Sequence, residues 1–506
     1  MAEGKRLVGN SAYLFLDWMT TTVFSLIFWL FMAKTLDSGA YGVVATAISM
    51  MILLSGLALL GLQTTLSKMV SEYDRIRKPK RTHGIVRLSL KVAATTSMAI
   101  AAVLVFFAGT FAPILNLPVG TIALVAAGVV LFAMLGLTTA VLYGLQSMKR
   151  VLISNFAGNV SKLVVAVALV LAGFEYFGPL AGLLSSVLVV VCMRGDTLMM
   201  AFRKDSVAPN GKEVFTYSLS AFAASIAMLG FSNTPNIVLN SVAGSVATGL
   251  FAVGITLTSP LISIPGVLTA ALFPIASGLS AEKGGRARQT ELLNIVIRYA
   301  AFITMPAIAL LLVLSETVIL FFASPAYLPA ARLLPFISIA VFLLGIGGMI
   351  NTTIYAMRRP VASRNITILA LVAFLLLAVP LTMRFAEFGM AWSYLGATLV
   401  FFVANAVYVK RRLGVNLDLW ALFKIAIATS IFAATLLAVN YVTAGAAWQA
   451  AGAAVASVVY ALALIPLRFY RKEDLRVLEY LSNKATVGRG LFAAARRVLG
   501  RYVRDT

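Results

Sequence analysis

The chain has 506 residues, of which 61% are hydrophobic and only 12% are charged, whereas soluble proteins carry roughly 25% charged residues. No soluble fold can bury that much apolar surface, so the composition excludes a soluble enzyme. It predicts an all-α polytopic membrane protein, because helices satisfy their own backbone hydrogen bonds in lipid. A single cysteine, Cys192, and a single histidine, His83, exclude an internal disulfide and metal sites built from thiolates or histidines.

Apolar runs of helical length follow one another along the chain, separated by short polar breaks. A membrane-spanning helix needs about 20 mostly apolar residues. We therefore predict about fourteen transmembrane helices. The predicted spans are 10–33, 41–69, 85–112, 120–146, 151–173, 177–200, 214–241, 247–278, 293–322, 330–356, 362–384, 388–409, 419–442 and 446–467.

The net charge of +23 is distributed unevenly between the predicted loops. With the N-terminus in the cytoplasm, the outer side holds only Lys34, Arg332 and Arg384, and Lys162 lies within a span. Such asymmetry is the positive-inside pattern of membrane proteins. We therefore expect a protein of the cell membrane with both termini in the cytoplasm. Anionic lipid headgroups, rather than nucleic acid, are the expected counterions.

The C-terminal tail, residues 471–506, is the longest predicted soluble segment. Apolar residues such as Leu491 and Val498 alternate there with basic residues such as Arg489 and Arg497. This pattern predicts a basic amphipathic helix on the inner membrane surface. A basic tail without fixed structure is the alternative.

An internal repeat relates the two halves of the chain at an offset of about 210 residues. The matched residues are Ile52, Leu62, Ser67, Glu72, Ile85 and Val86 with Ile262, Leu272, Ser277, Glu282, Ile295 and Val296. We therefore predict two parallel six-helix bundles, at 1–212 and 213–413, followed by two extra helices at 414–470 and the tail. Parallel repeats of this kind place a transport path between the halves.

Three segments carry a family resemblance. Residues 33–42, AKTLDSGAYG, resemble the A-x-x-L-G-x-x-x-Y-G opening of polysaccharide flippases, and Leu57 to Leu66 continues that pattern. Leu272-Phe273-Pro274 with Ser277 resembles the family's L-F-P-x-x-S segment. The chain is thus similar to the polysaccharide transport family of the multidrug/oligosaccharidyl-lipid/polysaccharide (MOP) flippase superfamily, to which O-antigen flippases, lipid II flippases and MATE transporters are related.

The resemblance implies a flippase that moves a polyprenyl-linked oligosaccharide or polysaccharide repeat unit from the inner to the outer leaflet by alternating access. Flipping breaks no covalent bond, so no catalytic residue, metal or cofactor is expected, and coupling to H⁺ or Na⁺ is left open. The expected partners are the lipid-linked glycan, anionic lipids and, as a further possibility, glycan assembly enzymes.

Polar residues within spans are candidates for the lining of the path. Asp17, Thr21 and Ser25 are spaced to share one face of span 1. A carboxylate inside a span is costly and suggests a functional site. A structural polar contact near the membrane interface is the alternative reading for Asp17.

Span 7 carries three asparagines on either side of Pro235, and span 2 offers Gln63 as a weaker candidate. Asparagine both donates and accepts hydrogen bonds, which suits sugar hydroxyls. Contacts that join packed spans are the alternative role. The asparagines are Asn233, Asn236 and Asn240.

Four basic residues near the predicted inner mouth, Lys68, Arg87, Lys91 and Arg298, are candidates for binding the phosphate groups of the carrier lipid. Ordinary positive-inside flanking of the spans is the alternative, because long basic side chains reach the membrane interface easily.

Two other functions are considered. Lipid II flippases of the superfamily carry central cationic residues on spans 1, 2 and 8, and this chain has no such Lys or Arg in the middle of spans 1, 7 and 8. A MATE-like cation-coupled drug antiporter is the first alternative, since Asp17 is similar to the span-1 aspartate of that family. An integral-membrane glycan polymerase or glycosyltransferase is the second. No acidic pair with metal-ligand spacing supports the latter. A Walker motif is absent as well, so we do not expect the protein to hydrolyse ATP by itself.

Overall fold

The computed structural model describes residues 2–279, 285–442, 445–471, 474, 475, 479 and 500, and all regular structure in these residues is helical. The helices are α1 (Ala2–Thr35), α2 (Ser38–Leu59), α3 (Leu62–Arg75), α4 (Pro79–Phe106), α5 (Ala108–Ile114), α6 (Val119–Gly144), α7 (Met148–Leu171), α8 (Phe177–Met193), α9 (Gly195–Met199), α10 (Gly211–Leu279), α11 (Gly285–Val313), α12 (Ser315–Phe322), α13 (Leu334–Ala356), α14 (Pro360–Leu413), α15 (Leu419–Val442) and α16 (Ala446–Ala463). Short 3-10 helices lie at Met200–Phe202 and Pro325–Arg332.

The two longest helices are each interrupted once. Helix α10 has 69 residues and breaks at Gly244, where φ is 85°. Helix α14 has 54 residues and breaks at Ala386, where φ is 48°. The left-handed backbone suits glycine but is strained for alanine. Each helix thus consists of two segments, 211–243 and 245–279 in α10, and 360–385 and 387–413 in α14.

The number of spans agrees with the sequence. Within the described residues, ten helices are long and apolar enough to cross a membrane, or eleven if α8 and the following Gly195–Phe202, bent by 59°, form one broken span. Helices α10 and α14 each hold two spans of about 20 residues, and α16 is a shorter apolar helix. The chain therefore has about fourteen spans. The predicted fold class is confirmed, and the predicted breaks between spans 7 and 8 and between spans 11 and 12 fall at Gly244 and Ala386.

Local sequence signals explain where several helices begin and end. The Asp37 carboxylate accepts a hydrogen bond of 2.9 Å from the Ala40 N–H and caps the start of α2. Pro79 and Pro360 stand in the first turns of α4 and α14, where no backbone N–H is needed. Gly414 ends α14 with a φ of 67°, which is a common helix terminator.

The chain packs as two compact units. The first comprises Met1–Leu257, Ile319–Ile337 and Arg364–Phe401, and the second comprises Thr258–Val318, Ser338–Ser363 and Phe402–Thr506. A core of the first unit is built from α2, α3, α4 and α6, and includes Leu62, Leu66, Val70, Ile85 and Leu137. A core of the second unit joins α11, α15 and α16 and includes Ala301, Phe432, Leu436, Tyr460 and Phe469.

Within the first unit, α2 and α3 pack antiparallel to the 211–243 segment of α10, and we call this contact the seam. The seam is held by small and polar residues: the Asn236 amide donates to Ser49 Oγ at 2.9 Å, and the Thr65 and Ser218 hydroxyls lie 2.7 Å apart. Further along, the Lys68 ammonium lies 4.1 Å from the centroid of the Tyr217 ring. Small residues at such contacts let two spans approach closely.

The starts of α2 and of the 245–279 segment of α10 make a reciprocal contact. A β-carbon on Gly42 would lie 1.8 Å from the Ser245 carbonyl oxygen, and one on Gly249 would lie 1.8 Å from the Ser38 carbonyl oxygen. Each helix therefore presents a serine and, four residues later, a glycine to the other. The two helices therefore approach each other backbone to backbone at this point.

The amphipathic helix predicted for 471–506 falls outside the described residues, apart from residues 471, 474, 475, 479 and 500.

Candidate functional site

The polar face of α1 lies against α7. The Asn155 side-chain amide donates to both carboxylate oxygens of Asp17, at 2.9 and 3.1 Å. One helical turn further along both helices, Asn159 donates to Thr21 Oγ1 at 3.2 Å. A third contact joins the Lys162 ammonium to Ser25 Oγ at 3.4 Å. We call these three contacts the α1–α7 ladder.

The spacing of the ladder follows from helix geometry. Its members on α1 are four residues apart, and those on α7 are four and three residues apart, so each set lies on one helical face. The partners are 138, 138 and 137 residues apart in the chain, which means that the two helices run parallel. Asp17, Thr21 and Ser25 are thus brought together as predicted from the sequence, and α7 supplies their partners.

Arg194 completes the first contact of the ladder. It lies at the bend between α8 and α9 and is only 1% exposed. Its Nη2 donates to Asn155 Oδ1 at 2.6 Å, its Nη1 donates to Thr139 Oγ1 at 2.7 Å, and its Nε donates to Ser154 Oγ at 2.8 Å. The Asn155 amide therefore joins an anionic and a cationic side chain, Asp17 on one side and Arg194 on the other.

Lys162 is a second cation on this face. It is 6% exposed, and its ammonium lies 5.0 Å from the centroid of the Phe28 ring. A hydroxyl and an aromatic face both stabilise an ammonium group in an apolar setting. Lys162 thus adds a second basic side chain to the face that carries Asp17 and Arg194.

The span-7 asparagines belong mainly to the seam and its end. Asn236 contacts α2 through Ser49, and its backbone carbonyl accepts a bond of 3.4 Å from Thr46. The Asn240 side chain donates to the Leu115 carbonyl, while Asn116 donates back to the Asn240 carbonyl at 2.9 Å.

The remaining hydrogen-bonding capacity of these asparagines differs from one to the next. Asn233 donates to the Leu229 carbonyl of its own helix at 2.9 Å. The side-chain oxygens of Asn236 and Asn240 are buried and accept no bond in the described structure. A water molecule or a ligand hydroxyl is the kind of donor that such oxygens require.

The other candidates of the first unit lie at the opposite end of the seam. Gln63 is exposed and packs beside Gly136 of α6. Lys68 pairs with Glu72 at 3.8 Å. Arg87 donates to the carbonyls of Ala201 and Arg203, both at 2.6 Å, and so fastens α4 to the end of the α8–α9 region. Lys91 is exposed.

Arg298 belongs to the second unit and is 2% exposed. Its Nη2 lies 2.6 Å from the Asp474 carboxylate, which also accepts from the Tyr299 hydroxyl. Its Nε and Nη1 are buried and have no hydrogen-bond partner among the described residues. Arg298 lines a cavity of about 10 Å³ together with Asn294 and Asp418. A cavity of this size holds one water molecule, so the geometry gives Arg298 a role in holding the segment after α16.

No group of three or more His, Cys, Asp or Glu side chains in the described part of the chain is placed to hold a metal ion. The side chains of the ladder supply hydrogen bonding and charge pairing.

Sequence reasoning missed Asn155, Asn159, Thr139, Ser154 and Arg194. A signal for two of them was present, since Asn155 and Asn159 stand four residues apart in span 5, as Asp17 and Thr21 do in span 1. Arg194 was hidden because a basic residue near a predicted span end is normally read as positive-inside flanking.

The fold is similar to that of several solved membrane transporters. The structure is similar to that of the lipid II flippase MurJ in its inward closed conformation, with a TM-score of 0.70 and 13% identity over 90% of this chain and 98% of that chain. It is similar to an inward-facing multidrug resistance MATE family transporter, with a TM-score of 0.63 and 16% identity over 83% of this chain and 98% of that one. A MOP superfamily transporter from Pyrococcus furiosus matches with a TM-score of 0.53 and 16% identity over 84% of this chain and 96% of that chain.

Residues 31–332 match the family model described as polysaccharide biosynthesis protein. The match covers more than half of the chain, so the chain belongs to this family, as the resemblance of its sequence segments predicts. No curated protein matches the chain significantly by sequence. The chain is thus a multi-pass membrane protein of the polysaccharide biosynthesis family with a MOP transporter fold.

Proposed function

We propose that the protein moves a polyprenyl-linked oligosaccharide or polysaccharide repeat unit from the inner to the outer leaflet of the cell membrane by alternating access. The observation that carries the proposal is the coincidence of two findings. The chain belongs to a polysaccharide biosynthesis family, and its fold covers 98% of a lipid II flippase. A sugar attached to a lipid and made on one side of a membrane needs a protein of this kind to cross hydrocarbon.

The polar residues within the spans support this proposal. Glycan hydroxyls are recognised by side chains that donate and accept hydrogen bonds, and the amide oxygens of Asn236 and Asn240, which accept no bond from the described residues, offer the accepting half of that chemistry. Gln63 is the exposed amide near the other end of the seam. The exposed Lys68 and Lys91 suit the phosphate groups of a carrier lipid.

The orientation and organisation belong to the same proposal. Both termini lie in the cytoplasm, because the basic loops then face the cytoplasm and anionic lipids. The repeat units are 1–212 and 213–413, with 414–470 as an addition. No cofactor is involved, and the partners are the lipid-linked glycan and the enzymes that assemble it.

A MATE-like cation-coupled antiporter is the second candidate. The similarity in fold to MATE transporters supports it, as does a carboxylate within span 1. The family match favours a lipid-linked glycan as the substrate, because the family is described by polysaccharide biosynthesis. The match, at residues 31–332, reaches into both proposed repeats.

The test uses purified protein in liposomes that contain a fluorescent polyprenyl-linked oligosaccharide. Its appearance in the outer leaflet is measured with a membrane-impermeant quencher or lectin. We expect protein-dependent movement and a clear loss of rate in Asp17→Asn. Thr20→Ala is the matched control, because Thr20 lies on the same helix and its hydroxyl donates only to α1 carbonyls.

Two outcomes contradict these expectations separately. If the lipid-linked sugar stays in place while a cationic dye moves in response to a proton or sodium gradient, the antiporter function is correct. If Asp17→Asn flips the sugar at the native rate, Asp17 holds the bundle together and takes no part in transport.

A further inference from the structure

We infer that Arg194 is a built-in counterion for Asp17, which makes the first contact of the ladder electrically self-sufficient, so that Asp17 requires neither a bound metal cation nor a proton of its own. The inference concerns the coupling of the proposed transport and in that respect rests on the proposed function. Its charge-pairing part stands on the structure of the first unit alone.

A carboxylate within a membrane span is energetically costly. An isolated charge in a low-dielectric setting is strongly unfavourable and requires a compensating charge or a change of protonation. A membrane protein meets that need with a bound cation, a proton or a fixed basic side chain. The described structure contains the third of these close to Asp17.

Asp17 and Arg194 are connected through one side-chain amide. Asn155 donates its amide N–H groups to both Asp17 oxygens, and its own oxygen accepts from Arg194 at 2.6 Å. Asp17 therefore orients the NH₂ end of the amide, and Arg194 orients its oxygen. Each charged group polarises the amide in the direction that strengthens the hydrogen bond to the other charged group. An amide bridge of this kind transmits charge compensation without direct contact between the ions.

The other hydrogen bonds of Arg194 define its surroundings. Its remaining donors are used by the Thr139 and Ser154 hydroxyls and the Val151 carbonyl, at 2.7, 2.8 and 3.4 Å. These partners are neutral acceptors. Asp17 is thus the acidic group to which Arg194 is connected in this cluster, and a guanidinium stays charged at any physiological pH.

Other titratable groups near the pair have partners or roles of their own. Tyr143 on α6 and Arg150 on α7 lie within electrostatic range of the pair. Arg150 is exposed and forms an ion pair of 2.6 Å with Asp196. Lys162 occupies the third contact of the ladder with Ser25. Arg194 is therefore the positioning residue whose charge Asp17 depends on.

The test is the thermal unfolding midpoint of purified full-length protein in detergent, measured from pH 5.5 to 8.5 with sodium, lithium or potassium chloride at equal ionic strength. We expect the native midpoint to be independent of the cation and to vary with pH no more than that of Asp17→Asn, because every other titratable group is common to the two proteins. In Arg194→Gln at pH 8.5 we expect a fall on the order of 5 °C, because one partner of a charge pair is left alone.

The distinguishing result is recovery. In Arg194→Gln the midpoint should rise again at pH 5.5, where Asp17 takes up a proton, or when one of the cations replaces the lost guanidinium. In the double variant Asp17→Asn with Arg194→Gln, this dependence on pH and cation should disappear. Arg150→Gln is the matched control, since it removes an adjacent exposed charge, and it should behave like the native protein.

Three results overturn the inference: a native midpoint that rises with one particular cation, an Arg194→Gln variant without any dependence on pH or cation, and a double variant that keeps this dependence. These readouts do not involve transport. A failure of lipid-linked sugar to move in liposomes therefore contradicts the proposed function and leaves the charge pair to be judged by the unfolding data.

Discussion

The carbonyl oxygen of Ser245 occupies the space that a β-carbon on Gly42 would require, at a distance of 1.8 Å. Gly249 and Ser38 stand in the same relation, also at 1.8 Å. The contact brings backbone against backbone, so no flexible side chain is present to move aside. Ordered packing at the starts of α2 and of the 245–279 segment therefore depends on both glycines.

Gly42→Ala is expected to destabilise the protein, although alanine is a better helix former than glycine. Overpacking of this kind costs about 1–3 kcal/mol, which exceeds the gain of about 1 kcal/mol in helix propensity. Thermal unfolding in detergent measures the change. Gly266→Ala in α10 is the control, because nothing lies within 4 Å of its β-carbon position. Equal midpoints for the two variants would show that the helices separate without cost.

Asn155→Leu and Asn159→Leu test the ladder. The first removes the amide between Asp17 and Arg194 and leaves two charges without that partner, whereas the second removes a contact between Asn159 and the neutral Thr21. Loss of a bond to a charged group costs more, so we expect Asn155→Leu to lower stability by about 1–3 kcal/mol beyond its neighbour. Chemical unfolding of both variants gives the difference. A larger loss of stability in Asn159→Leu would show that the second contact of the ladder contributes more than the first.

The buried ion pair of the second unit, Arg298 with Asp474, is suited to a double-mutant cycle. The side chains are 2% and 8% exposed and 2.6 Å apart. Removing one partner of a buried pair costs about 3–5 kcal/mol. We expect Asp474→Asn and Arg298→Met each to be strongly destabilising, and the double variant to be less so than their sum. Additive effects in unfolding experiments would show that the two side chains do not interact.

Asp418 provides a pH dependence outside the membrane-spanning segments, in the connection between α14 and α15. Burial disfavours its charged form, but hydrogen bonds from the Ala421 N–H and from Arg471 outweigh burial and hold the pKa of this carboxyl below its usual value of 3.8. Because the folded pKa is the lower one, the stability that Asp418 contributes is fully present above pH 3.8 and is lost as the pH falls through the folded pKa.

The corresponding experiment compares the native protein with Asp418→Asn. The native protein should have the higher unfolding midpoint at pH 7, and the difference should shrink as the pH approaches 3. A constant difference over this range would mean that the charge of Asp418 is not what stabilises the start of α15.

Tyr327 fastens the 3-10 helix at Pro325–Arg332 to the end of α1. It is fully buried, and its hydroxyl donates to the Leu36 and Asp37 carbonyls at 3.1 and 3.0 Å. Tyr327→Phe should cost about 0.5–1.5 kcal/mol for the hydrogen bonding lost. Tyr441→Phe is the control, because that side chain is 94% exposed. Unfolding midpoints measure both, and an unchanged Tyr327→Phe would show that the hydroxyl is dispensable.

The sequence predicts the fold well because span length and polar breaks are set by simple physical limits. The break between spans 7 and 8 was predicted between residues 241 and 247, and the chain turns at Gly244. The predicted repeat at an offset of about 210 residues stays a prediction.

Only the α1 side of the α1–α7 ladder was predictable from the sequence. Periodicity on α1 identifies Asp17, Thr21 and Ser25 as one face, since a helix repeats every 3.6 residues. Which helix that face meets depends on tertiary packing, and the partners on α7 lie nearly 140 residues away. Arg194 illustrates the same limit, because its position near a span end hides its burial. Arg298 was predicted to contact a lipid phosphate because it is basic and lies near the inner mouth. Its partner Asp474 lies in the predicted tail, and the sequence does not show where the tail packs against the helices.

Cys192 is the chain's only cysteine, is exposed, and stands two residues before Arg194. A thiol-reactive fluorophore or spin label can therefore be attached beside the charge pair without prior removal of other thiols. Movement at the bend between α8 and α9 would appear directly as a change in emission or in line shape, in the protein with its natural sequence. The chain carries a native attachment point for spectroscopy at the place where Asp17 and its counterion meet.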